Sequence, residues 1–123
     1  MPSLAISAKG MSVQQGFLET IASNIANAET TRMPDGGPYK RQVATSQIGA
    51  NGELNTTVTE DAAPGRMVYE PSHPDADENG FVEYPNVEVQ SELVDLMVVR
   101  RLYEANATVF QAAKMMLKSA LEI

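Results

Sequence analysis

The sequence predicts a mainly α protein. Long N- and C-terminal helices should pack as an antiparallel helical hairpin or coiled coil, around a small β-rich central insert. Three observations predict this. All prolines but Pro2 lie between Pro34 and Pro85. From Asn86 to Ile123 there is neither Pro nor Gly, so that tract can run as one helix about 57 Å long at 1.5 Å per residue. Both ends carry apolar stripes at helical spacing, which must be buried against each other or against neighbours. The segments read as 1–33 for the first helix and its exit loop, 34–85 for the insert and 86–123 for the last helix.

In the first segment Leu4, Met11, Leu18 and Ile25 recur every seven residues, with Ile21 and several alanines beside them. That is a helical stripe of coiled-coil period. Ser7 and Gln14 interrupt it, and Gly10 and Gly16 weaken it, so it is a poor isolated helix. The helix should fail after Asn27, because Glu29-Thr30-Thr31 and then Pro34 follow.

The insert is read from turns. Asp35-Gly36-Gly37-Pro38 is a turn, and Tyr39 to Thr45 alternates, with Tyr39, Arg41, Val43 and Thr45 on one face. Asn51-Gly52 signals a hairpin between this run and Leu54 to Thr59. Ala63-Pro64-Gly65 breaks the chain again. Met67-Val68-Tyr69 and Phe81 to Tyr84 are short strands around a loop rich in Pro and Asp.

In the last segment Leu96, Val99, Tyr103, Asn106, Val109, Ala113, Met116, Ala120 and Ile123 alternate spacings of three and four. Leu102, Phe110 and Leu117 widen the stripe. Glu88, Glu92 and Asp95 near the start, and Lys114 and Lys118 near the end, suit the helix dipole. Asn106 sits inside the stripe, either as a tolerated polar residue at a solvated edge or as a buried amide that fixes register.

Composition removes several functions. Nine basic residues against 16 acidic give −7, which disfavours binding to free nucleic acid. With no Cys there are no disulfides, thiol catalysis or Cys-based zinc sites. No stretch is long and apolar enough to span a membrane, and the N-terminus lacks the basic and apolar regions of a secretory signal. Asp75, Asp77, Asn79 and Gly80 match the opening of an EF-hand calcium loop. The twelfth position is Asn86 instead of Glu, and Pro71, Pro74 and Pro85 obstruct the flanking helices. The preferred reading is a turn of Asx type. His73, the only histidine, reads as a loop residue between Ser72 and Pro74, and Tyr39-Lys40-Arg41 as an exposed strand face. No catalytic constellation and no cofactor site is found.

Three stretches together resemble a known family. They are Thr20 to Arg32 (TIASNIANAETTR) leading to Gly36–Arg41 (GGPYKR); Val68 to Val87 (VYEPSHPDADENGFVEYPNV); and Glu92–Met97 (ELVDLM) with Arg101–Asn106 (RLYEAN). They resemble the bacterial flagellar basal-body rod proteins. The motif positions are Asn24, Asn27, Thr30, Gly36, Gly37, Pro38, Tyr39, His73, Pro74, Asp75, Asp77 and Gly80. The resemblance implies a structural subunit of the proximal rod, the drive shaft across the periplasm. It implies terminal helices that pack together and stack with those of neighbouring subunits around an export channel. It implies other rod subunits and further copies of the chain as partners, and exit through the flagellar type III export apparatus without a cleaved signal. From the residues alone two rivals stay open: a non-polymerising helical-pair adaptor and a calcium-binding protein.

Overall fold

The computed structural model describes residues 2–122, with side chains from Leu4 onward; Ile123, the last position of the predicted stripe, lies outside the described residues. Helix α1 (Pro2–Ala26) is followed by strands β1 (Gln42–Ile48), β2 (Leu54–Glu60), β3 (Arg66–Tyr69) and β4 (Phe81–Tyr84), and then by helix α2 (Val89–Leu121). The helices have 25 and 33 residues, together 58 of 123, so helix makes up just under half the chain and the mainly α reading holds only modestly.

The helices lie side by side and antiparallel. Asn24 near the end of α1 meets Glu92 at the start of α2, and Gln14 meets Asn106 further along. The covered positions of α2 include Glu92, Leu96, Val99, Tyr103, Asn106, Phe110, Ala113 and Leu117, alternating four and three apart, with Ala107 beside them. That spacing keeps one stripe against the partner helix. Leu4, Ser7, Met11, Gln14, Leu18, Ile21 and Ile25 repeat the pattern on the covered face of α1. Gly10 has a packing role beyond weakening the helix. A Cβ there would come within 3.0 Å of the Asn106 amide nitrogen, so the missing side chain makes room for Asn106.

Two boundaries differ from the sequence reading. Strand pairing starts at Gln42, not at Tyr39, because Tyr39 is drawn inward: its N–H donates to the Thr30 carbonyl at 3.0 Å, and its hydroxyl reaches α1. Helix α2 starts at Val89, not at Asn86, because the Asn86 side chain is bound to the insert: Oδ1 accepts from the Arg41 N–H, and Nδ2 donates to the Asp61 and Ala63 carbonyls.

The strands form two separate antiparallel pairs. In the first, Gln42 faces Glu60 and Ile48 faces Leu54, closed by a turn in which Gly52 has φ +83°. This hairpin lies along α1, with Thr56 beside Gly16. In the second, Arg66 faces Tyr84 and Tyr69 faces Phe81, and Val82 is completely buried.

The apolar core is thin. Among the described residues its buried hydrophobic members are Val82, Ala28, Tyr39 and Ala113. The accessible surface is 8514 Å², whereas a compact 13.3 kDa monomer exposes about 6,500 Å². The excess is comparable in size to the surface that one stable protein interface buries.

Gly65 is the tightest backbone position. An added Cβ would collide with the Tyr84 carbonyl oxygen and meet the Glu83 side chain at 2.9 Å, whereas at Gly37 it would meet nothing within 4 Å. Gly65→Ala should therefore destabilise the chain by about 1–3 kcal/mol, and Gly37→Ala by less than about 0.5 kcal/mol. Denaturant melts of the two variants measure the difference; equal midpoints would show that β3 and β4 are not joined as described.

Candidate assembly interface

The helices and the insert meet at one polar junction. Asn24 is 1 % exposed, and its side chain bonds like a short strand: Nδ2 donates to the Gln42 carbonyl, and Oδ1 accepts from the Gln42 N–H, both at 2.9 Å. The same Oδ1 accepts from the Tyr39 hydroxyl at 2.7 Å, and Nδ2 also lies 3.4 Å from Glu92 Oε2. The Glu92 side chain is 2 % exposed, and its Oε1 accepts from Arg41 Nε at 2.6 Å. Arg41 Nη1 continues to Asp61 Oδ2 at 3.2 Å. A carboxylate this buried requires a cation and hydrogen bonds, and both are present. Among the described residues no buried side-chain polar atom lacks a partner.

The junction also fixes charge states. The bond that Arg41 donates to Glu92, and then the one to Asp61, hold its guanidinium above its ordinary range. The Asp61 carboxyl lies below its ordinary range, first because it accepts from the Ala63 N–H and then because of Arg41.

The loop motif is built from local bonds. Asp77 Oδ1 accepts from the N–H groups of Asn79 and Phe81, both at 2.9 Å. Asp75 accepts from the Thr31 hydroxyl at 2.6 Å and lies 3.7 Å from Arg32. His73 Nδ1 accepts from the Asp75 N–H, Pro74 is exposed, and Gly80 turns at φ +85° under the Tyr69 ring. The carboxylates of the calcium-like pattern thus serve as turn caps and as a tie to the α1 exit loop. In that loop Asn27 Oδ1 accepts from the Thr30 hydroxyl, and Gly36, Gly37 and Pro38 form the turn that leads to Tyr39.

The predicted packing residues separate into two sets. Leu4, Met11, Leu18, Ile21 and Ile25 on α1, and Leu96, Val99, Tyr103, Asn106, Phe110 and Leu117 on α2, are half-buried. Asn106 donates to Gln14 Oε1 at 3.0 Å across the pair. Leu102, Val109 and Met116 are instead 51 %, 50 % and 66 % exposed, on a second flank of α2 with Val94 and Val98. This flank runs into a notch of about 200 Å³ between the helices and β1, lined by Phe17, Ile21, Val43 and Val98 above Arg41 and Glu92.

The sequence reading missed the junction. It placed Arg41 on an exposed strand face and Glu92 among the dipole-facing acids. The signal was present: Glu92 lies four residues before Leu96, which makes it the first member of the inner stripe.

Comparison with known proteins gives a consistent result. A family described as "Flagella basal body rod protein" matches residues 4–32, and one described as "Flagellar basal body rod FlgEFG protein C-terminal" matches residues 78–123. The chain is 37 % identical to "Flagellar basal-body rod protein FlgC" of Salmonella typhimurium over 96 % of its length and 92 % of the relative's. It is 35 % identical to the proteins of that name from Borreliella burgdorferi and Bacillus subtilis, over 98 % of this chain and 95 % of each relative. Those two alignments span 144 and 143 positions, more than the 123 residues here, so both relatives carry stretches without a counterpart in this chain.

Removing one partner at the junction should cost more than removing both. Arg41→Ala leaves the Glu92 carboxylate buried without its cation. Because Arg41 is 30 % exposed, the expected loss is about 2–3 kcal/mol, below the range for a fully buried pair. Adding Glu92→Leu should recover part of it, and a double-mutant cycle by urea denaturation measures the coupling. The Asp61 bonds carry a pH signature. Their contribution is present above the unfolded carboxylate range and is lost as pH falls through the lower folded value of Asp61. Asp61→Asn should remove that acid-side slope, which stability curves against pH would show.

Proposed function

This chain belongs to the flagellar basal-body rod proteins, in the FlgC group, and on that basis we propose that it polymerises through the outer flank of α2 to build the rod as a drive shaft around an export channel. A structural rod subunit follows from the family, and no catalytic function is indicated by the relatives. The observation that carries the assembly reading is the exposed apolar flank Val94, Val98, Leu102, Val109 and Met116. A continuous apolar stripe on a small, thin-cored protein is a surface for partners. The partners are other rod subunits and further copies of the chain.

The paired helices form a short coiled-coil-like seam within each subunit, and the outer flank joins subunits laterally. The alternating four-and-three spacing of the covered positions supports the seam. Polar residues occupy several of its positions, so part of its stability comes from hydrogen bonding, not apolar packing. The insert braces the helical pair through the Arg41–Glu92 junction. Transit to the rod is through the flagellar type III export apparatus, without removal of a signal peptide. Among the described residues no helix is long and apolar enough to cross a membrane.

The outer flank gives a direct test. Leu102 and Val109 are already half exposed in a single subunit, so Leu102→Asp or Val109→Asp should change the stability of the isolated chain by less than about 0.5 kcal/mol. Burying the remaining half of each side chain at a contact contributes on the order of 1 kcal/mol per residue, and a carboxylate there adds a desolvation penalty. Each variant should therefore abolish rods and swimming in a host lacking its own copy, while export of the chain continues. Swimming assays, secreted protein and purified basal bodies measure this. Normal rods from Val109→Asp would refute the flank as an assembly surface.

A further inference from the structure

The sequence contains two Asn-Gly pairs, Asn51-Gly52 and Asn79-Gly80. Such a pair carries its own reactants. The backbone nitrogen of the glycine can attack the side-chain carbonyl carbon of the asparagine, because no Cβ shields it. Each of the other five asparagines precedes a residue that has a Cβ.

The fold treats the two pairs differently. Asn51 and Gly52 form the tip of the first hairpin and are both exposed. Gly52 turns at φ +83°, and a Cβ there would meet nothing within 4 Å. Its N–H donates to the Gly49 carbonyl at 2.9 Å, a turn bond that must open before attack and that water reaches. Asn51 Oδ1 accepts from the Glu53 N–H at 3.2 Å. That donor faces the oxygen on which negative charge develops when Cγ is attacked. The second pair is closed. Gly80 is buried, its N–H donates to the Asp77 carbonyl at 3.0 Å, and its carbonyl accepts from the Glu70 N–H at 2.9 Å. The Tyr69 ring and Pro71 lie 2.8 and 3.2 Å from where its Cβ would stand. Asp77 Oδ1 also holds the N–H groups of Asn79 and Phe81, on either side of Gly80.

We propose that Asn51 is a site of spontaneous covalent modification, at which the folded chain turns a neutral hairpin tip into an acidic one. The Gly52 nitrogen gives its proton to hydroxide and bonds to Cγ of Asn51. The Cγ–Nδ2 bond breaks, and Nδ2 leaves as ammonia with a proton taken from water. Water then opens the resulting five-membered imide at either carbonyl. One opening gives aspartate, the other an isoaspartyl linkage with an extra methylene in the main chain. The net change is one water consumed and one ammonia released. Either product adds a carboxylate, taking the formal charge from −7 to −8, at a tip whose Glu53 and Leu54 share a groove with Lys9. The isoaspartyl form also lengthens the turn that sets Ile48 opposite Leu54, and so loosens that end of the β1–β2 pair.

Peptide mapping by mass spectrometry of the folded chain, held in mildly alkaline buffer, reads the conversion of each amide to acid. Asn51 should convert at least about tenfold faster than Asn79. In urea, where both turns are lost, the two should convert within about threefold of each other. Lowering the pH by about one unit should slow Asn51 about tenfold, because attack needs the deprotonated nitrogen. The product should separate into aspartyl and isoaspartyl peptides. Asn51→Gln, which would need a six-membered ring, should end conversion of that peptide. Equal rates in the folded chain, or a faster Asn79, overturn the inference. A gap that persists in urea does so as well, since it places the cause in sequence neighbours and not in the fold. Product without the isoaspartyl form means direct hydrolysis and overturns the ring step, and conversion that continues in Asn51→Gln moves the site elsewhere.

Discussion

The Glu92 carboxylate is the constraint on which the rest of this structure depends. A charge with 2 % exposure needs a cation and hydrogen-bond donors at fixed positions. Arg41 supplies the cation, and holding Arg41 requires Asp61 on its far side and Asn86 at its backbone N–H. Asn24 supplies the amide from α1 and is itself held by Gln42 and Tyr39. One buried charge therefore fixes the register between the helices, the start of the first hairpin and the entry to α2. Replacing such a group by an apolar side chain can be neutral or stabilising in other proteins. In this chain the carboxylate has a positional role, because the apolar core beside it is too thin to specify the arrangement by packing.

The division of labour between the two faces of α2 follows from this. The inner face combines apolar residues with two polar ones, Glu92 and Asn106, which bond to Asn24 and Gln14 of α1, and so defines one alignment with α1. Among the described residues the outer face, from Val98 to Met116, has no such bonds to α1 and is largely aliphatic. A surface of that kind contributes area but little specificity, which suits a contact repeated against several neighbours. The family assignment and the excess of exposed surface point the same way, to a subunit whose burial is completed outside its own chain.

Much of the architecture was legible in the sequence. The Pro- and Gly-free tract after Asn86 foretold α2, and the heptad recurrence of Leu4, Met11, Leu18 and Ile25 foretold the covered face of α1. Asn51-Gly52 marked the first hairpin turn, where Gly52 has positive φ. Beyond the place of Glu92 on the inner stripe, the junction was not legible, because its bonds join residues 51 and 68 apart in sequence through side-chain geometry that local patterns do not record. Tyr39 and Arg41 look like an exposed strand face until Asn24 offers a partner for the hydroxyl and Glu92 one for the guanidinium. Gly10 read as a defect and proved to be the space for Asn106. The C-terminal stripe is broad and apolar in sequence, but periodicity cannot tell which half of it faces α1 and which half is exposed.

The distances in sequence across these contacts have a consequence for the order of events. Gln14 waits for Asn106, 92 residues later, and Asn24 waits for Glu92. Contacts this remote carry a large loop-closure cost and form late. Until the last third of the chain is present, the first helix has no partner for its covered face and, being interrupted by glycine and polar residues, little stability alone. The chain is thus built to remain open until its last third is present, and to close only when its two ends meet.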